Sequence, residues 1–134
     1  MATIYQQYAT DAKKELEGFE FNIGESTFIL ARAGGRNRQY HVVRAKKMAA
    51  FRQDQILGLV DQEKTNEALA DVYAETIIKG WKNVRDLKGK EIPYTVENCK
   101  KLLLDLPDLF DIIVDVSLNM KNYQDAVTEE MVKN

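Results

Sequence analysis

The spacing of apolar positions divides the chain into stretches that repeat every three to four residues and one stretch that alternates. Ile4, Tyr5, Tyr8, Ala12 and Leu16 fall near one helical face, which predicts a short helix over 4–17, closed by Gly18. Phe19, Phe21 and Ile23 then alternate with Glu20 and Asn22, and Phe28 and Leu30 alternate after the turn signal Gly24-Glu25-Ser26. That change of period predicts a small β-hairpin, broken at Gly34-Gly35. Helical spacing returns from Arg36 to about Phe51, with Tyr40, Val43 and Phe51 along one side. "DQILGLVDQEKTN" reads as a short helix or an extended connector, interrupted by Gly58.

Asn66 can accept from free N–H groups of a first turn and is the expected cap of a helix over 67–84. Leu69, Val72, Tyr73, Ile77, Gly80, Trp81 and Val84 share its apolar face. "RDLKGKEIP" connects to a helix capped by Thr95, with Val96, Cys99, Leu102, Leu103 and Leu106 inward. Pro107 fits the first turn of a last helix, because its missing N–H costs nothing there. Leu109, Ile113, Val116, Met120 and Tyr123 repeat along that helix to residue 123, opposite Asp108, Asp111, Asp115 and Asn119. The predicted fold class is mainly α: a compact helical domain over 1–123 with a small N-terminal β-hairpin, then a flexible C-terminal tail over 124–134.

Composition narrows the function classes. The 134 residues are 45% hydrophobic and 30% charged, with two prolines and seven glycines, a globular balance. A formal charge of -2 gives no global pull toward nucleic acid or anionic membrane. The single cysteine makes no internal disulfide, and no apolar run approaches the roughly 20 residues of a membrane span. The N-terminal residues lack an apolar signal core, so a soluble intracellular protein is expected.

Candidate chemistry is sparse. His41 has no Cys or Asp nearby in sequence, and a metal site needs three or four suitable ligands. Cys99, on an apolar helix face, is expected to be a small buried hydrophobe. Asp105, Asp108, Asp111 and Asp115 have the spacing of a solvated helix face and no calcium-loop motif. Gly34-Gly35 lacks the rest of a phosphate loop. No catalytic residue, cofactor or metal is expected, and no enzyme.

Charge is segregated, however. No acid lies between Ser26 and Gln53, where Arg32, Arg36, Arg38, Arg44, Lys46, Lys47 and Arg52 form a candidate partner-binding basic surface. Asp105, Asp108, Asp111, Asp115, Asp125, Glu129 and Glu130 make the C-terminal third acidic. Mutual neutralisation, within the fold or across a homo-oligomer, is favoured over nucleic-acid binding. Net charge is negative, and no recognition helix or stacking motif accompanies the basic run.

"FILARAGGRNRQY", "VYAETIIKGW" and "IPYTVENCKKLLLDLPDLFDII" resemble, in order, the landmarks of the tail assembly chaperone family of long-tailed bacteriophages. The resemblance covers roughly residues 18 to 123. It implies a non-enzymatic protein of the host cell cytoplasm that binds the tape measure protein, keeps it soluble and recruits tail tube subunits. The chaperone then leaves, so that it is absent from or depleted in the mature virion. Neither a small-molecule substrate nor a membrane is implied, and nucleic acid is disfavoured. The alternatives are a structural tail or head–tail connector component, and a nucleic-acid-binding module. In such phages a ribosomal frameshift extends a minority of copies. This chain would be the short form, and the codons for Lys133 and Asn134 are a candidate slip site beside the alternative of a plain solvated end.

Overall fold

The computed structural model describes residues 2–124. At its start, the helix predicted over 4–17 is two helices, α1 (Ile4–Tyr8) and α2 (Ala12–Glu17). The break has a local cause: the Asp11 carboxylate accepts from the amides of Lys13 (2.9 Å) and Lys14 (3.4 Å) and so starts a new helix. Ile4, Tyr5, Tyr8 and Leu16 are exposed, and the buried residue of α2 is Glu15. Gly18 ends α2 with φ 96°, and a Cβ there would lie 2.9 Å from the backbone carbon of Leu30. Only glycine meets both demands.

Strands β1 (Phe19–Ile23) and β2 (Ser26–Leu30) form the predicted hairpin, with Phe21 opposite Phe28. The hairpin is not the whole sheet. A third strand, β3 (Ile78–Lys82), pairs antiparallel with β2, placing Trp81 opposite Phe28 and Gly80 opposite Ile29.

Between β2 and β3 lie α3 (Arg38–Ala49), α4 (Arg52–Ile56) and α5 (Gln62–Thr76). Asp61, five residues ahead of the expected Asn66, caps α5 by accepting from the Glu63 amide at 3.0 Å. The helix predicted to reach 84 stops at Thr76. Ile77, Trp81 and Val84 fit a helical period, but Thr76, Ile77 and Ile78 are β-branched and the edge of β2 offers unpaired backbone. The Ile77 carbonyl, just past the helix end, takes the Ala31 amide at 2.8 Å.

The last segment runs through α6 (Val96–Asp105), capped by Thr95, and α7 (Pro107–Leu118), with Pro107 in its first turn. Cys99 and Leu103 are buried as expected, whereas Val96 and Leu106 are exposed. The final predicted helix ends at Leu118, and a 3-10 turn covers Met120–Tyr123.

The fold class is therefore corrected. A mainly α domain with a local hairpin was expected; helices pack instead with a three-stranded antiparallel sheet whose third strand comes from mid-chain. One apolar cluster joins Phe28, Leu30 and Ile78 of the sheet to Tyr73, Cys99, Leu103, Phe110 and Ile113 of the helices. Tyr73 meets the ring of Tyr40 on α3 at 6.2 Å and that of Phe110 on α7 at 5.4 Å, edge to face. The Tyr123 hydroxyl reaches the Ala31 carbonyl at 2.9 Å, so the 3-10 turn is fastened to the end of β2. Of the tail predicted over 124–134, Gln124 is buried and donates to the Gln7 carbonyl at 2.7 Å; the rest lies outside the described residues. Among the described residues no helix is long and apolar enough to cross a membrane.

Candidate interaction surface

Helices α3 and α5 run antiparallel. Asn37 reaches the Thr76 carbonyl at 3.3 Å, and Lys47 lies 4.0 Å from Asp71 further along the pair. Between them is an open groove of about 530 Å³. Val43, Phe51 and Ala68, half-buried or buried, make its floor, and Lys46, Lys47, Ala50 and Glu75 stand at its rim. Phe51 leads into α4, which buries no residue. Beyond it Ile56, Leu57, Leu59 and Val60 stand 78%, 61%, 67% and 50% exposed. Four large apolar side chains in five residues, at the tip of a helical pair, form a patch that a partner can cover.

The seven basic residues separate into two groups. Arg32 and Arg36 are both paired with Glu15, whose side chain is 1% exposed. Glu15 Oε1 accepts from Thr10 Oγ1 (2.6 Å) and Arg36 Nη1 (2.7 Å). Its Oε2 accepts from Arg32 Nη1 and from the Arg36 amide, both at 3.0 Å. Burial pushes this carboxyl up. The bonds from Thr10, the Arg36 amide and Arg32, with the Arg32 charge, outweigh burial and hold it below its usual 4.5. Gly35 is required beside it, since a Cβ there would sit 1.9 Å from Glu15 Oε2 and φ is 52°. Lys47 is shared loosely between Asp71 and Glu75, at 4.0 and 3.9 Å.

Arg38, Arg44, Lys46 and Arg52 are exposed and make no ion pair among the described residues. Arg38 occupies the first turn of α3, which holds no acid, so its charge opposes the helix dipole. Its place there is not explained by helix stability.

The remaining candidates lie apart from this surface or make local contacts. Cys99 is fully buried on α6, and burial pushes its thiol up to about 12. His41 is exposed, its Nε2 lying 3.3 Å from the Gly35 carbonyl. Trp81 lines a shallow hollow with Val84, Ile92 and Pro93 and donates its indole N–H to the Ile92 carbonyl at 2.8 Å. Among the described residues no three His, Cys, Asp or Glu side chains are grouped to hold a metal ion.

Sequence reading missed the role of Glu15, which lies on a polar helical position, and that of Asn37. Asn37 is buried, and its side chain both caps α3 and bonds the Arg32 carbonyl. The run Ile56-Leu57-Gly58-Leu59-Val60 did carry a signal: apolar residues without a helical period, flanked by Asp54 and Asp61.

A family model described as YdaY prophage protein matches residues 35–134, which include α3 and its cations, the groove, the tip, β3 and the last helices. No curated protein and no solved structure matches the chain.

Proposed function

This chain belongs to the YdaY prophage protein family, and we propose that it acts in phage tail morphogenesis as the short form of a tail assembly chaperone. It binds the tape measure protein and recruits tail tube subunits by protein contacts alone, without enzymatic chemistry. The observation that carries this reading is the groove between α3 and α5, with its apolar floor, a rim on which Lys46 is the cation without an ion pair among the described residues, and an exposed tip at Ile56–Val60. Such a surface accepts the apolar stripe of a helix whose flanks carry carboxylates. A long helical protein awaiting its tube has such stripes, and covering them keeps apolar area out of water. The work is done in the host cytoplasm, and the protein departs before the virion is complete. The C-terminal frameshift belongs to the same proposal, and an AAG codon at Lys133 without an overlapping downstream frame would remove it.

The test is co-expression with the tape measure protein of the same prophage. The soluble fraction of that protein rises and the two co-purify. An Ile56→Ser, Leu59→Ser variant keeps its helical circular dichroism but loses capture. Unchanged solubility together with no co-purification would refute the chaperone role.

A further inference from the structure

Two exposed helix faces have no partner within the described chain. On α3, Arg38, Val42, Ala45, Lys46 and Ala49 are all exposed and fall on the side away from the buried Tyr40. On α7, Asp108, Asp111, Ile112 and Asp115 are exposed, with Asn119 just past its end, opposite the buried Phe110, Ile113 and Ser117. Asp108, Asp111 and Asp115 make no ion pair among the described residues. Each face thus combines like charges with a large apolar residue at its centre, Val42 at 55% and Ile112 at 41% exposed. Tyr40 and Phe110 both turn inward onto Tyr73. The two faces therefore point away from a shared core and do not meet within one molecule.

We propose that the outward face of α3 docks on the outward face of α7 of a second copy of this chain. Both helices have 12 residues, a span of about 18 Å at the helical rise. Laid antiparallel, Arg38 comes opposite Asp115, Val42 opposite Ile112 and Lys46 opposite Asp108. The small side chains of Ala45 and Ala49 let the backbones approach closely. The contact is heterologous, because it joins two different patches, so a bound pair leaves one α7 face free on one copy and one α3 face free on the other for the next copies. One helix pair buries less than the roughly 1,200 Å² of a stable standard interface, so association is weak, concentration-dependent and strengthened by repetition. This contact uses neither the floor of the groove nor the apolar tip, and it does not depend on the chaperone reading.

The test is sedimentation velocity of the purified protein, from low to high micromolar, at about 0.05 M and about 0.5 M salt. The sedimentation coefficient rises with concentration at low salt, and high salt suppresses the rise. Arg38→Glu with Lys46→Glu, and separately Asp108→Lys with Asp115→Lys, each weaken association by about tenfold or more, as like charges meet. An equimolar mixture of the two reversed variants restores it, since each then presents what the other lacks. Arg38→Gln with Lys46→Gln, which adds no repulsion, gives a smaller loss, and circular dichroism checks that every variant is folded. A protein that stays monomeric throughout, an oligomer indifferent to both reversals, or a mixture that fails to reassociate would each overturn the proposal.

Discussion

Replacing Glu15 with glutamine tests whether the segment around Gly34-Gly35 is held by one buried carboxylate. The side chain accepts four bonds from Thr10, Arg32 and Arg36, all at 3.0 Å or less. Glutamine keeps the volume but has a single acceptor oxygen. If that oxygen takes the Oε1 place, its NH₂ faces the Arg32 guanidinium and the Arg36 amide, two donors with no acceptor between them. An orphaned partly buried donor costs about 1–3 kcal/mol, and losing the charge-assisted bonds adds about 1–2 more. Arg36 is 57% exposed and recovers solvation, so the total should stay near 3 kcal/mol. That is a large share of the roughly 5–15 kcal/mol of a domain, and with a slope near 2 kcal/mol/M it lowers the urea midpoint by about 1.5 M. The pH dependence has a definite sign. The folded carboxyl sits below its usual 4.5, so its contribution is complete above that pH and disappears as pH falls through the folded value. The parent protein should lose stability in that acid window, and the variant should lose less. A midpoint within about 0.5 M of the parent, or equal acid profiles, would refute the argument that Glu15 holds this corner.

Trp81→Ala should cost about 2–3 kcal/mol in chemical unfolding, below the figure for a fully buried aromatic because Trp81 is only half-buried on β3. A loss under about 1 kcal/mol would show that its bond to Ile92 and its edge contacts with Phe28 and Tyr94 contribute little. Cys99, with its thiol pushed up to about 12, should resist alkylation in the native state and react only as fast as the protein opens. Labelling at the rate of a small free thiol would contradict its burial.

Much of the fold was legible where local chemistry decides it. Thr95 and Pro107 mark helix starts that any partner-free reading can find, because caps and first-turn prolines act within a few residues. The hairpin was legible for the same reason: Gly24-Glu25 and the alternation around it are local. β3 was not, because Ile78–Lys82 satisfies a helical period and becomes a strand only when β2, some 50 residues earlier, supplies the ladder. The exposed apolar period of α1 misled in the opposite direction, since it marks no buried face in this chain. The seven cations were visible as a run, but the division between them was not. Glu15 is remote in sequence from Arg32 and Arg36, and the burial of a carboxylate leaves no mark in the hydrophobic pattern.

That division determines how the basic segment can be probed. Reversing Arg36 removes a donor from Glu15 and disturbs the fold, so a loss of binding in such a variant would say nothing about a surface. Arg38, Arg44, Lys46 and Arg52 carry no such burden, and reversing them changes the field outside the molecule while the corner at Gly35 stays intact. Lys46 is the informative member. It lies on the rim of the groove with Lys47 and also at the edge of the outward stripe that begins at Arg38. A helix filling the groove and a second copy on the outward face would therefore share one cation at their border. Occupying one site neutralises part of the charge that draws the other, so the two contacts should compete weakly through Lys46. Arg38, at the far end of α3, should affect self-association alone. A tape-measure capture assay that falls with Lys46→Glu but not with Arg38→Glu, beside a sedimentation assay that falls with both, would separate the two surfaces. Equal sensitivity of both assays to both residues would mean that the helix carries a single surface.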